Sequence, residues 1–156
     1  MSNSNSPGVR VGVEISGTGG RPVLTLIHGF AGSHRTWELV RPLLEPHFQL
    51  ALLDLPGHGG VAPQSGMDLM RLAETIATFL TQAVQGPRCL CGYSMGGRIA
   101  LHVALGFPEA VSRLALIGTS PGIKDDAERV ARQKSDRELA TNIRANGVEW
   151  FEKYWA

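Results

Sequence analysis

Gly92-Tyr93-Ser94-Met95-Gly96 restricts the fold of this chain more than any other segment. The pentapeptide has the form G-x-S-x-G. It follows an apolar run at 88–93 that reads as a short buried strand and precedes a small-residue run at 94–105 with helical spacing. A serine between strand and helix, flanked by glycines, sits in a turn too tight for neighbouring side chains. Its hydroxyl then stands exposed at the carboxyl edge of a sheet, and the helix N-terminus beneath it favours developing negative charge.

The remaining sequence repeats the same alternation. Weakly alternating residues at 11–15 are followed by the turn Gly17–Gly20 and an apolar run at 23–27 ending in His28-Gly29-Phe30. Ser33 can cap a helix through about 44, and a second apolar run at 48–55 stops at Pro56-Gly57-His58-Gly59-Gly60. Residues 68–83 place Leu69, Leu72, Ile76, Phe79 and Leu80 on one face, an amphipathic helix. After the serine turn, Gly106 and Pro108 close the next helix and 111–117 is a further apolar run. Strands separated by helices of this length form right-handed βαβ units, so the expected fold class is α/β, a mostly parallel sheet with helices on both faces.

From 124 to 137 nine of fourteen residues are charged, and Arg129, Arg132 and Asp136 share one helical face. This reads as a helical insertion outside the sheet. The expected organisation is a flexible N-terminus with a first strand at 1–20, a core at 21–121 and a helical lid or cap at 122–156. Trp150, Phe151, Tyr154 and Trp155 gather large apolar area close to Ala156. We therefore expect further strands beyond this sequence to be missing from it, and poor solubility of the 156-residue piece alone.

A net charge of +1, with no basic clusters interleaved with aromatics, argues against a nucleic-acid partner. No apolar run reaches the roughly 20 residues of a bilayer span and the N-terminus has no signal-peptide pattern, so no membrane partner and a cytoplasmic location are expected. Cys89 and Cys91 lie two apart in a strand, poorly placed to bond to each other. They read as buried free thiols, and no metal site is expected. Oligomeric state is not legible.

Ser94 is the candidate catalytic residue, with the backbone N–H groups of Phe30 and Met95 as a candidate oxyanion hole. His28 and His58 read as loop-shaping or rim residues, while His34, His47 and His102 receive no role. Asp54 precedes the serine and lies in a different loop, so it is not assigned as a triad acid. In this order of elements the acid and histidine follow the serine on later strands, which this sequence does not contain.

The series HGF, DLPGHG and GYSMGG resembles the α/β-hydrolase superfamily from about Val23 onward. Arg98, directly after the elbow, and the stretch Gly118–Arg137 are similar to the 2-succinyl-6-hydroxy-2,4-cyclohexadiene-1-carboxylate synthases of menaquinone biosynthesis. That resemblance implies elimination of pyruvate from 2-succinyl-5-enolpyruvyl-6-hydroxy-3-cyclohexene-1-carboxylate by a carbon–oxygen lyase, without metal or organic cofactor. It implies Ser94 as base, Arg98 and Arg132 as ligands of a small polycarboxylate substrate, and Tyr93 with either Tyr154 or Trp155 facing the pocket. Guanidinium groups suit carboxylates bidentately, whereas a neutral ester has little use for them. Two alternatives stay open: a carboxylesterase with Ser94 as nucleophile, and a non-catalytic protein with half of the fold.

Overall fold

A computed structural model describes residues 9–155. The flexible stretch expected at the N-terminus falls partly on residues 1–8, outside the described residues. The chain divides into two compact units, one ending at Ser120 and one beginning at Pro121.

Among the described residues the first unit holds five strands: β1 (Gly12–Ser16), β2 (Val23–Ile27), β3 (Gln49–Asp54), β4 (Arg88–Tyr93) and β5 (Arg113–Ile117). Their spatial order is β1-β3-β2-β4-β5. β3, β2, β4 and β5 run parallel, with Ile27 opposite both Leu53 and Gly92, and Gly92 opposite Leu116. Only β1 is antiparallel, with Glu14 opposite Leu52. The sheet is mostly parallel and the fold class is α/β, as the alternation predicts.

Side-chain alternation along the central strands separates two cores. Ile27, Leu53 and Leu90 face one way, against Leu72, Ile76 and Leu80 of α2 (Leu69–Ala83) and Ile99, Ala100 and Val103 of α3 (Met95–Gly106). Leu26, Leu50, Leu52 and Cys91 face the other way, against Trp37, Leu44 and Phe48. Strands buried on both faces read as near-continuous apolar runs, which is why β3 carries LALL between Gln49 and Asp54 and β2 reads VLTLI. α2 begins where the Asp68 side chain accepts from the Arg71 N–H at 2.8 Å. Cys89 and Cys91 are buried and unbonded, and burial pushes the Cys91 thiol upward.

One expected helix is broken. In place of a single helix from Ser33 to about 44, a 3-10 turn covers His34–Trp37 and a separate short helix, α1, covers Arg41–Leu44. Ser33 caps the turn as expected, but Pro42 has no N–H to donate into a continuous helix and is tolerated only in a first turn.

The second unit comprises α4 (Asp126–Asn146) and α5 (Val148–Trp155). α4 runs well past the charge-rich stretch at 124–137 and starts with the Asp125 carboxylate accepting from the Glu128 N–H at 2.9 Å. Along α5, Trp150 stacks on Tyr154 with ring centroids 5.0 Å apart, and Phe151 meets Trp155 at 5.4 Å. These are the i,i+4 pairings of an ordinary helix. No helix among the described residues is long and apolar enough to cross a membrane.

Ile76, fully buried between α2 and the sheet, is a test of this packing. Ile76→Ala should cost about 2–5 kcal/mol in urea unfolding, whereas Leu39→Ala, at a side chain 91% exposed, should stay within about 0.5 kcal/mol.

Candidate active site

The strand-to-helix turn has the strained form that its sequence requires. Ser94 adopts φ 53° and ψ −112°, a region that costs a non-glycine residue about 1–3 kcal/mol. It stands at the N-cap of α3, yet its side chain makes no capping hydrogen bond. The hydroxyl is therefore not consumed by the helix it begins.

Close packing explains the glycine two residues on. A Cβ at Gly96 would come within 2.4 Å of the carbonyl oxygens of both Ile27 and His28. Only glycine lets the first turn of α3 lie directly on the end of β2. This contact brings the Ser94 turn against the corner after β2, where a Cβ at Gly29 would stand 3.3 Å from Ser94 Cβ. The aromatic ring of Tyr93 lies over the same corner, 3.0 Å from that position, and is 43% exposed.

His28 fixes the shape of the corner. It is fully buried; its Nε2 accepts from the Leu55 N–H at 3.2 Å, and its Nδ1 lies 2.7 Å from the Gly29 carbonyl. A backbone N–H can only donate and a carbonyl only accept, so the ring is the neutral tautomer with its proton on Nδ1. Burial lowers its pKa below the ordinary 6.5, in part opposed by the Gly29 bond. With the Gly29 carbonyl held toward His28, the N–H of Phe30 on the same trans peptide is directed the opposite way. His58, in the loop after β3, has its ring 5.0 Å from that of His28 and 6.3 Å from that of Phe30.

A second polar cluster lies at the end of β3. The Asp54 carboxylate accepts from the His34 backbone N–H at 2.7 Å and from His34 Nδ1 at 2.8 Å, while His34 Nε2 lies 3.2 Å from Glu14. Arg41 extends the cluster, donating to Glu14 and Ser16 at 2.7 Å each. Burial would raise the Asp54 carboxyl, but the His34 hydrogen bonds and the neighbouring histidine charges outweigh it and hold the pKa below the ordinary 3.8. No group of three His, Cys, Asp or Glu among the described residues could hold a metal ion.

Of the residues singled out from the sequence, Phe30, Tyr93, Ser94, Met95 and Arg98 converge on the carboxyl edge of the first unit. Met95 is the first residue of α3. Arg98 lies one turn along, its backbone N–H donating to the Ser94 carbonyl at 3.2 Å and its guanidinium to Ser120 Oγ at 3.3 Å. Arg132, Tyr154 and Trp155 belong to the second unit, where Arg132 Nε donates to Asp136 at 2.8 Å. Sequence reasoning assigned no role to His34 and passed over Thr119, whose hydroxyl contacts the Ser94 carbonyl at 3.1 Å. Parallel pairing of β2 with β3 and of β4 with β5 sets the loops that carry these residues side by side.

Residues 22–156 match the alpha/beta hydrolase fold family. A Bacillus subtilis (strain 168) protein, provisionally named a 2-succinyl-6-hydroxy-2,4-cyclohexadiene-1-carboxylate synthase, is 38% identical over 153 residues, covering 96% of this chain and 56% of that protein. A pimeloyl-[acyl-carrier protein] methyl ester esterase of Nitrosomonas europaea is 36% identical over 109 residues, 70% of this chain and 42% of its own length. Among solved structures, MenH from S. aureus superposes with a TM-score of 0.83 at 28% identity, covering 92% of this chain and 55% of that one. The chain spans about half the length of the relatives it matches.

The two perturbed groups of this edge, His28 and Asp54, predict acid sensitivity. His28, with its pKa lowered in the fold, withdraws stability as pH falls below about 6.5 toward its folded value; Asp54 adds a further loss as pH falls from about 3.8 through its own lowered value. Urea unfolding between pH 7.5 and 5 should show the first decline. A ring ¹⁵N spectrum at pH 6.5 should still show neutral His28 protonated on Nδ1.

Proposed function

The chain belongs to the alpha/beta hydrolase fold family, and within it we propose that the complete protein is a 2-succinyl-6-hydroxy-2,4-cyclohexadiene-1-carboxylate synthase. Its reaction would be elimination of pyruvate from 2-succinyl-5-enolpyruvyl-6-hydroxy-3-cyclohexene-1-carboxylate, a carbon–oxygen lyase step in menaquinone biosynthesis. The observation that carries this reading is Arg98, a half-buried cation one helical turn from Ser94 and held by Ser120. A guanidinium beside the serine suits a polycarboxylate and is of little use to a neutral ester. Similarity to the B. subtilis protein over nearly the whole chain supports the same choice.

In this reading Ser94 removes a substrate proton. A serine hydroxyl is a weak base at its ordinary pKa, so a histidine oriented by a carboxylate must share the proton. The amides of Phe30 and Met95 hold the charge that develops on the substrate carbonyl. Arg98 orients one carboxylate and Tyr93 lines the pocket. The resemblance assigns Arg132 to a second substrate carboxylate and Tyr154 or Trp155 to a substrate-facing role.

The rival reading is a carboxylesterase that uses Ser94 as a nucleophile, and similarity to the N. europaea esterase favours it. The two readings separate at Arg98. In the complete protein, Arg98→Ala should raise KM for pyruvate release about 10–100-fold while hydrolysis of p-nitrophenyl acetate changes less than about threefold. Equal losses in both assays, or ester hydrolysis without any pyruvate release, would favour the esterase. Ser94→Ala should abolish both.

A further inference from the structure

We propose that Thr119 is a positioning residue that locks Ser94 in its strained conformation, with its hydroxyl seated in the space left by the missing side chain of Gly97. Its importance for catalysis rests on Ser94 being the reacting serine, as read above; the lock itself is a property of the backbone.

Both backbone polar groups of Ser94 are held by the end of β5. Its N–H donates to the Ile117 carbonyl at 2.9 Å. Its C=O, which also takes the first helical hydrogen bond from Arg98, lies 3.1 Å from Thr119 Oγ1. The same hydroxyl is 3.1 Å from the Ile117 carbonyl, so its single proton bridges the two acceptors that flank the elbow. Thr119 thus links β5 to the residue whose φ of 53° nothing in its own side chain stabilises.

Gly97 is an independent sign of this arrangement. The elbow pattern G-x-S-x-G accounts for Gly92 and Gly96 and says nothing of a third glycine. A Cβ at position 97 would fall 1.9 Å from Thr119 Oγ1 and 2.9 Å from Thr119 Cβ. The seat is filled by that hydroxyl. Thr119 is β-branched and half-buried, so few rotamers compete with the one that reaches it. A residue held in a sparsely populated backbone region persists only where its surroundings over-determine it, and Thr119 supplies a constraint from a second strand.

The test is hydrogen exchange in the complete protein, read by mass spectrometry for peptides covering residues 89–98, with residues 69–80 of α2 as internal control. Thr119→Val keeps the shape and removes the hydroxyl; it should speed exchange of the elbow amides about fivefold while leaving α2 unchanged, and Thr119→Ser should stay within about twofold of the parent. Should the valine variant fail to fold, Thr119→Ala removes the same hydroxyl and is read in the same way. A valine variant indistinguishable from the parent overturns the proposal. So does a serine variant as impaired as the valine, or equal acceleration in both segments. The rate of Ser94 phosphonylation by a fluorophosphonate should fall about tenfold in Thr119→Val and recover in Thr119→Ser. A parent protein that takes no label at Ser94 would count against the proposed chemistry, while the exchange comparison still decides the role of Thr119.

Discussion

The first turn of α3 lies on the end of β2 with no room for a methyl group, since a Cβ at Gly96 would meet two carbonyl oxygens at 2.4 Å. The architecture of the carboxyl edge depends on that approach. It sets the depth at which α3 enters, and hence where Ser94 turns out of β4. It also places the elbow beside the Gly29–Phe30 corner. The conformational strain at Ser94 is sustained because the neighbours are themselves fixed: β2 and β4 pair in parallel register, and Leu90 and Ile99 pack into the same core. Burial of the α2 and α3 faces therefore does more than stabilise the unit. It supplies the free energy against which a few kcal/mol of backbone strain can be held.

Around this contact the polar groups are satisfied in a specific pattern. His28 uses both ring nitrogens to tie the corner after β2 to the start of the loop after β3, and it does so only as one neutral tautomer. Asp54 and His34 make a parallel link between the same two strand ends. Groups tied at two fixed points each tolerate little rearrangement, because any shift leaves a partner unpaired. Rigidity at the edge thus comes from hydrogen bonds between loops laid on a rigid apolar sheet. Two buried side-chain atoms among the described residues, Thr25 Oγ1 and Trp37 Nε1, have no hydrogen-bond partner.

The fold and the elbow were legible in the chain because both are local. Alternation of apolar runs with amphipathic segments reports parallel strands and covering helices, and Gly92, Ser94 and Gly96 report a tight strand-to-helix turn. Where reading failed, the missing information was topological. His34 has no distinctive neighbours in sequence; its partner Asp54 is 20 residues away and meets it because β3 lies beside β2. Thr119 looks like any loop threonine until β5 is placed beside β4. The helix expected from 33 to 44 failed for a local reason that was available, the missing N–H of Pro42, which the capping serine obscured.

The order β1-β3-β2-β4-β5 sets the corner before Phe30, Asp54, the Ser94 elbow and the Gly118 turn at the same ends of four adjacent parallel strands. Positions about 25 to 65 residues apart along the chain become neighbours at the inter-strand distance of about 4.8 Å. The sheet then works as a ruler. Slipping one strand by a single residue would shift its end by about 3.3 Å, more than the length of a hydrogen bond, and turn every side chain on it to the opposite face. Placement of the reacting groups is consequently inherited from the pairing of apolar strands far beneath them, so a fault in register at Leu24 or Cys89 would reach the edge at full size.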